Sequence, residues 1–463
     1  MLTTDGLPIA FWISLVLLIA LSGFAWSRRR EAWGIPTMAV CGTVVVWYHV
    51  DALYNDYGRY GEKFSPELLT SAWWQIIGFT VSLGVAAPLL NDLANPSAKS
   101  RGSNVVAFLD GRDTLTALQR LLVPAFRIAA VLWITLSVVA LLRTGFDWQG
   151  LFFPWMGHRA YPWLRDRVGG GVDFVFSLVE YVNIFCLSAF GIIAALALST
   201  RLRLAAISLV FLAWPYVLFD RARNTMLAVV LPAVLCFVFL RLRRRPMVQL
   251  CVLLAAFIAL EGWFAVVLQK RSIASARAAG SYVKSDQSRH LGLNMYEELC
   301  WINAFIQDGS YQPNWGRRYL AEAVNPIPRT IWPNKPMIGI DYALARGQGG
   351  GAASAAGVHA TISTGMIGQG VCNFGSVFGP VAAALLMSGW IAILARFDST
   401  ANYVGRLMLY TLGLVLTFNL GRDISLLVAY PLIFGYFIVR FAENRKRNGP
   451  RPAIVQNYAS RAA

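Results

Sequence analysis

Long apolar runs recur along almost the whole chain and are separated by short polar segments. Each run is close to the length of about 20 residues that a helix needs to cross the hydrocarbon core of a bilayer. The pattern therefore predicts an all-α polytopic integral membrane protein with about eleven transmembrane helices. The predicted spans are 9–27, 34–52, 71–90, 121–143, 173–198, 203–219, 225–241, 247–268, 376–396, 403–420 and 424–443.

Basic side chains flank these spans and predict their orientation. Lysine and arginine concentrate in the connections that stay in the cytoplasm. With eleven crossings, the basic segments all fall on one side, which predicts an outer N-terminus and a cytoplasmic C-terminus. The basic segments are Arg28 to Arg30, 92–120, Arg201 to Arg203, Arg241 to Arg245 and Arg445 to Arg447.

One long segment, 269–358, contains no apolar run of spanning length and falls on the outer side. Within it we expect short helices over 288–306 and 316–324, because apolar residues recur there at helical spacing. The prolines that follow are incompatible with regular structure. The chain is thus predicted to be a single transmembrane domain over 1–443 with a large periplasmic loop inserted in it, followed by a basic cytoplasmic tail over 444–463.

Composition supports a membrane protein and narrows the chemistry. The chain is 57% hydrophobic and 14% charged, whereas a soluble domain carries roughly 25% charged residues. A net charge of +17 can indicate nucleic acid, an anionic membrane surface or an anionic substrate. Here the basic clusters between spans account for much of it, so no nucleic-acid partner is predicted. The chain has no Walker-type loop and no His/Cys metal spacing, so neither a metal nor a cofactor is predicted.

Positive charge on the predicted outer side is the informative exception to this pattern. Arg221 and Arg223 occupy one short outer turn, and Arg422 occupies another. A single such side chain can snorkel to the headgroups at little cost. Several segments that deliver arginine to the same membrane level instead predict a cationic pocket for a lipid-borne phosphate or pyrophosphate, because the guanidinium fork binds phosphate oxygens in pairs. Further candidates for this pocket are Arg271, Arg317, Arg318, Arg329 and Lys335.

Titratable groups near these arginines are candidates for orienting them or for accepting a proton. Asp220 and Asp423 adjoin arginines, and we expect them mainly to orient those side chains. Glu261 lies in the outer part of an apolar span, where a structural ion pair and a catalytic role both remain open. His359 lies where the chain re-enters the membrane. Its position makes it a candidate general base, although a lone histidine is more often structural.

Glycine recurs from Gly365 to Gly379 at the start of the ninth predicted span. Small residues at this spacing are typical of closely packed helices. A re-entrant or broken helix that lines a cavity is the alternative interpretation, since irregular backbone is tolerated at membrane depth only where protein or a cavity surrounds it. The sequence alone leaves both interpretations open.

Several segments, taken in order, resemble the bacterial oligosaccharide repeat-unit polymerases of the Wzy type. Asn325-Pro-Ile-Pro-Arg-Thr-Ile-Trp-Pro-Asn-Lys-Pro336 is similar to their IPR-x-x-WP-x-KP signature. Gln369 stands where many members carry an acid, so any role of that acid as a base would fall to another residue here. The other resembling segments are 220–225, 363–369, 373–375 and 421–425, and the resemblance spans 200–443.

The resemblance implies an inverting, metal-independent glycosyltransferase of the membrane-embedded GT-C type. It implies transfer of a glycan from undecaprenyl pyrophosphate to a sugar hydroxyl of a lipid-linked repeat unit, at the periplasmic face of the bacterial inner membrane. Arg329, Arg422 and His359 would be catalytic, and the remaining cations would bind the pyrophosphate. The implied partners are the lipid-linked oligosaccharides, membrane lipids, a chain-length regulator and a flippase.

Two alternative functions remain open at this point. An O-antigen ligase, or another lipid-linked GT-C glycosyltransferase, requires the same outer cationic pocket. A flippase or other transporter of lipid-linked oligosaccharides would instead need a cationic cavity that reaches the middle of the bilayer, and transporters are often built from paired repeats. The chain shows no such repeat, and its arginines cluster at one membrane face.

Overall fold

The computed structural model describes residues 6–55, 57–96, 103–106, 114–156, 159–163, 171–219, 223–242, 244–278, 294–325, 327, 331–336, 339–346, 362–400 and 404–447. Over these residues the chain is helical, with turns between the helices and no strand. The helices, numbered in chain order, are α1 Ile9–Ser27, α2 Gly34–Val44, α3 Asp51–Tyr54, α4 Tyr57–Lys63, α5 Pro66–Ala94, α6 Thr114–Arg143, α7 Trp148–Phe152, α8 Gly171–Leu196, α9 Thr200–Ala213, α10 Pro215–Leu218, α11 Arg223–Leu235, α12 Pro246–Ala278, α13 Met295–Gln307, α14 Arg317–Val324, α15 Ile340–Ala345, α16 Gly365–Ser399, α17 Val404–Arg422 and α18 Leu426–Arg447.

Ten helices within the described residues are long and apolar enough to cross a membrane. The prediction of an all-α polytopic membrane protein is therefore confirmed. The ten include every predicted span except 34–52. That region is helical from Gly34 to Tyr54, and it passes through a π-helical turn over Val45–Val50 between α2 and α3. The number of crossings and the sides occupied by the termini stay predictions.

Helix α17 is mostly buried and defines the two ends of the bundle. Arg406 lies in its first turn and pairs with Glu443 of α18, whereas Arg422 is its last residue. We refer to these as the Arg406 end and the Arg422 end. Connections between the helices lie at both of these ends. At the Arg406 end, for example, Arg241 donates a 2.9 Å hydrogen bond to the carbonyl of Ala197.

The predicted outer loop begins later than expected. Helix α12 continues to Ala278, beyond the predicted boundary at 268. The first short helix of the loop, α13, starts at Met295 rather than at 288, and the second, α14, agrees with the predicted 316–324. Helix periodicity locates such elements well, but their ends depend on local contacts that a pattern does not encode.

Helix α13 is buried in the bundle instead of lying on its surface. The amides of Asn303 on α13 and Gln75 on α5 exchange two hydrogen bonds, of 2.6 and 3.0 Å. The backbone N–H of Tyr296 donates to the buried carboxyl of Asp51, at 2.7 Å. Since buried polar groups are stable only when paired, these contacts fix α13 at the Arg422 end.

The glycine-rich start of α16 is a broken helix. Gly375 has φ +78° and ψ 178°, a conformation that is open essentially only to glycine. A Cβ at Gly370 would clash with the backbone carbonyl of Gly379, although nine residues of continuous helix would separate the two by about 13.5 Å. The chain therefore folds back at Gly375: the helix breaks, and small residues let its two parts pack closely. That the broken helix lines a cavity stays a prediction. We call residues 365–374 the folded-back arm.

Candidate functional site

The turn between α17 and α18 is held by the folded-back arm. The side chain of Gln369 accepts a 2.7 Å hydrogen bond from the N–H of Ile424 and donates a 3.2 Å bond to the carbonyl of the same residue. Gln369 is completely buried. The residue that replaces the acid of the resembling family thus clamps the backbone of this turn, and the turn fixes the side chains on either side of it.

Asp423 is the first acid of the site. It accepts hydrogen bonds from the backbone N–H and the hydroxyl of Thr364, at 3.2 and 3.5 Å. Burial raises the pKa of Asp423 above its ordinary value, while the charge of Arg318, hydrogen bonds from Ser363 and from the N–H of Thr364, and the charge of Arg422 act in the opposite direction. Of the two arginines, Arg318 exerts the larger effect, and the predicted role of Asp423 in orienting an arginine stays a prediction.

Arg318 is the buried cation of the site, with 4% of its surface exposed. The side-chain oxygen of Asn373 accepts the backbone N–H of Arg318 at 3.1 Å and so caps the first turn of α14 from the folded-back arm. The guanidinium itself makes only weak contacts, 3.7 Å to the sulfur of Cys372 and 3.5 Å to the carbonyl of Ile362. Its Nε donates to no partner among the described residues.

Arg422 presents a second guanidinium at the same end. Its Nε is also buried and has no hydrogen-bond partner in the described part of the chain. The preceding Gly421 packs directly against Thr43 and Trp47, and a Cβ there would clash with the Thr43 methyl group. This close approach to α2 and the following π-helical turn seats the end of α17 and positions Arg422.

Glu322 is the functional candidate that the sequence did not single out. It lies one helical turn after Arg318 on α14, and its Oε2 accepts a 2.7 Å hydrogen bond from the hydroxyl of Ser425. Burial raises the pKa of Glu322 from 4.5 to about 7, and Asp423 adds to the rise, while Ser425 and Arg318 oppose it. The i, i+4 spacing from Arg318 was the only signal in the sequence, and it becomes informative only when the helix and its burial are known.

The remaining predicted cations differ in their surroundings. Arg317 is exposed on α14, beside the buried Arg318. Lys335 is buried, and its ammonium donates to the carbonyls of Asn325 and Ile327, at 2.8 and 2.7 Å. These two bonds close the C-terminal end of α14, where a cation is favourable. Lys335 therefore has a structural role, and its role in phosphate binding stays a prediction.

Other predicted residues lie apart from this cluster or outside the described chain. Glu261 is exposed on α12, a helix that packs chiefly against α11 and the π-helical segment that follows it. Arg271 also belongs to α12, and Arg223 is the first residue of α11. Four predicted site residues lie outside the described residues: Asp220, Arg221, Arg329 and His359.

The start of α11 is nevertheless close to the cluster. The side-chain amide of Asn419, one turn before Arg422 on α17, donates a 3.3 Å hydrogen bond to the carbonyl of Asn224. Asn224 directly follows Arg223. The described backbone therefore brings one of the predicted arginine turns to the Arg422 end, next to the other.

The arrangement is suited to binding an anion and to moving a proton. Two arginines, the buried Arg318 and the half-buried Arg422, each keep a buried Nε that has no partner among the described residues, beside two carboxyls whose pKa values are raised. The described residues contain no group of three His, Cys, Asp or Glu side chains placed to hold a metal ion. The chain matches no family model, no curated protein and no solved structure. Fold and site together define an all-α polytopic membrane protein with an arginine- and carboxyl-containing cluster at one end of its bundle.

Proposed function

We propose that this protein is a membrane-embedded glycosyltransferase of the bacterial inner membrane that polymerises lipid-linked oligosaccharide repeat units. In this proposal, the Arg422 end faces the periplasm. The donor is a glycan on undecaprenyl pyrophosphate, and the acceptor is a sugar hydroxyl on a second lipid-linked unit. The product is O-antigen or another surface polysaccharide.

The observation that carries the proposal is the incomplete hydrogen bonding of Arg318 and Arg422. A buried donor left without a partner costs about 1–3 kcal/mol, so its retention is best explained by a ligand that completes it. Arginine remains charged at any physiological pH and pairs with phosphate oxygens through its planar fork. Both Nε atoms lack a partner among the described residues, and both lie at the same end of the bundle.

The chemistry of glycosyl transfer fits such a clamp. As the bond between the anomeric carbon and the phosphate oxygen breaks, negative charge develops on the departing diphosphate. Fixed cations aimed at this charge stabilise the transition state without reorganising. The sugar ring develops oxocarbenium character at the same time, as in other glycosyl transfers. The activated donor supplies the free energy, and the predicted catalytic residues Arg329 and His359 would complete the site.

The experiment that tests the function uses purified full-length protein in lipid nanodiscs with a lipid-linked repeat unit. We expect glycan chains longer than one repeat to form and undecaprenyl pyrophosphate to be released. In a deletion strain, we expect lipopolysaccharide that carries a single repeat on the lipid core. Loss of even that single repeat would indicate a ligase. Movement of a labelled unit across vesicles without any polymer would refute the proposal in favour of a transporter.

A further inference from the structure

The acids of the Arg422 end differ in how many hydrogen bonds they accept. Glu298 accepts hydrogen bonds from Tyr342 and from Arg346 through both of its oxygens. Asp341 accepts two bonds at one oxygen, from Tyr311 and Asn314. Each of these acids is held in its orientation by at least two protein donors.

Two further acids of this end are also well paired. Asp51 accepts from the N–H of Tyr296 and from the side chain of Asn55 through its two oxygens. Asp423 accepts from the backbone and the hydroxyl of Thr364. Like Glu298 and Asp341, they serve to fix helices and turns.

Glu322 accepts fewer hydrogen bonds from the described residues than any of these four acids, one in place of two or more. Its Oε2 accepts the 2.7 Å hydrogen bond from Ser425, whereas its Oε1 accepts none from the described residues. Only 7% of the surface of Glu322 is exposed, and yet no ion pair with a described cation neutralises its carboxyl. One oxygen is therefore fixed in orientation and the other is available, which is the arrangement that a general base requires.

We propose that Glu322, oriented by Ser425 and placed one helical turn from Arg318, is the base that removes the proton from the acceptor sugar hydroxyl. The inference rests on the proposed glycosyl transfer and assigns its proton acceptor. The acceptor O–H bond breaks and its proton passes to Oε1 of Glu322. The freed electron pair forms the new bond to the anomeric carbon, and the bond to the diphosphate breaks with its electrons on the leaving group. Water then takes the proton from Glu322.

The electrostatic surroundings suit this role near neutral pH. Burial raises the pKa of Glu322 to about 7, close to the operating pH at which a base is most effective. The charged groups that act on it are Asp423, which raises the pKa, and Arg318, which lowers it. The folded-back arm and the first turns of α18, which pack against α14, bring no charged side chain.

The first test substitutes Glu322→Gln, which keeps the shape and still offers an oxygen to Ser425. Single-turnover transfer should fall about 10²–10⁴-fold, the usual contribution of a general base. Binding of undecaprenyl pyrophosphate should stay at the wild-type level, because the arginines are unchanged. The matched control is Glu67→Gln, an exposed acid in the first turn of α5 at the same end, which should transfer at the wild-type rate.

The second test measures how the single-turnover transfer rate depends on pH. The wild-type single-turnover rate should rise about tenfold per pH unit below a midpoint near 7 and level off above it, since the deprotonated carboxylate is the active form. Ser425→Ala removes a hydrogen bond that lowers the pKa of Glu322, so its midpoint should move to higher pH. A role in packing alone would leave the midpoint in place.

The outcomes separate this inference from the proposed function. Wild-type transfer by Glu322→Gln, or an unmoved midpoint in Ser425→Ala, would overturn the assignment of the base while leaving the glycosyltransferase intact. Absence of polymer from the wild-type protein would overturn the function itself. Each variant is also unfolded thermally in nanodiscs. A melting temperature near the wild-type value confirms that loss of transfer reflects chemistry rather than misfolding.

Discussion

Arg318 and Arg406 are buried to nearly the same degree, with 4% and 7% of their surfaces exposed, but their surroundings are opposite. At the Arg406 end, two guanidinium nitrogens of Arg406 donate to the two oxygens of Glu443, each at 2.7 Å. At the Arg422 end, the guanidinium of Arg318 makes contacts no shorter than 3.5 Å, and its Nε has no partner among the described residues.

The difference indicates what each end is for. A bidentate ion pair, with Arg406 also lying 5.3 Å from the ring centre of Tyr436, leaves little for a ligand to add. Such a pair joins α17 to α18. An arginine that is buried without a matching carboxylate retains both its charge and its donors. At the Arg422 end, carboxyls such as Asp423 act on Arg318 electrostatically, but none forms a direct ion pair with it among the described residues. The two ends should therefore respond differently to the same kind of substitution.

The largest effect is expected from Arg406→Ala, and it should be an effect on stability. Removing one member of a buried ion pair leaves the other charge uncompensated, at a cost of about 3–5 kcal/mol. The side chain of Glu443 is 14% exposed, so little solvent is available to replace the arginine. Thermal unfolding in nanodiscs should show a large fall in the midpoint, while the transfer rate per folded molecule stays at the wild-type value.

The control for this prediction is the double variant Arg406→Met with Glu443→Leu. Replacing a whole buried ion pair by apolar side chains of similar volume is often neutral or stabilising. The double variant should therefore recover most of the lost stability. An Arg406→Ala protein as stable as the wild type would show that the pair contributes nothing and would remove the contrast between the two ends.

Arg422→Ala should have the reverse effect, a large loss of activity with little loss of stability. Removing one preorganised donor to a developing anion costs about 10²–10³-fold in rate, or about 2.7–4 kcal/mol. Stability should change little, because the Arg422 guanidinium forms no ion pair or hydrogen bond with a described residue. Arg422→Lys should remain impaired, since an ammonium lacks the planar fork.

The measurement for Arg422 pairs single-turnover transfer with thermal unfolding of the same sample. Arg221→Ala, Arg223→Ala and Arg329→Ala belong in the same series, as members of the predicted pocket. Wild-type polymer from all four variants would contradict the pocket. If a variant loses activity only in proportion to its loss of folded protein, its arginine has a structural role like that of Arg406.

Gly375→Ala tests the hinge that supports the Arg422 end. A side chain at φ +78° and ψ 178° is strained by about 1–3 kcal/mol, and relief of the strain would displace the folded-back arm. We expect a moderate loss of both stability and activity, since the arm carries Gln369 and Asn373, which position the turn and α14. The matched control is Gly389→Ala, in the same helix where a Cβ meets nothing within 4 Å. A helix-interior change of this kind should be neutral or stabilise by roughly 0.5–1 kcal/mol.

The fold was predictable because hydropathy and helix length dominate the energetics of a membrane protein. Apolar runs located the helices, and predicted 9–27 coincides with α1. The ends were less predictable where local contacts decide them, as at Ala278. The π-helical turn over Val45–Val50 has no counterpart in the hydrophobic pattern, because the apolar residues are continuous through it.

The site was predictable only as a set of charges. Arg318 and Arg422 were among many outer cations, and nothing in the chain distinguished buried Arg318 from exposed Arg317 beside it. That distinction comes from the packing of α14 on the folded-back arm, which depends on the reversal at Gly375. Glu322 was missed for the same reason: an acid in a short helix before prolines acquires a raised pKa only when tertiary packing buries it.

The smallest effect is expected from Lys63→Ala, which also removes a cation from the Arg422 end. Lys63 forms a 2.9 Å ion pair with Glu297, but its side chain is 43% exposed. Exposed pairs contribute about 0–1 kcal/mol because solvent screens them and holding the side chains costs entropy. The carboxyl of Glu297 keeps the hydrogen bond from the indole N–H of Trp301 at 3.4 Å, and solvent that enters the exposed position vacated by Lys63 hydrates it. We expect unfolding and transfer close to wild type. If Lys63→Ala loses as much transfer as Arg422→Ala, any cation at this end serves the reaction. Incomplete pairing would then not be what distinguishes the functional arginines.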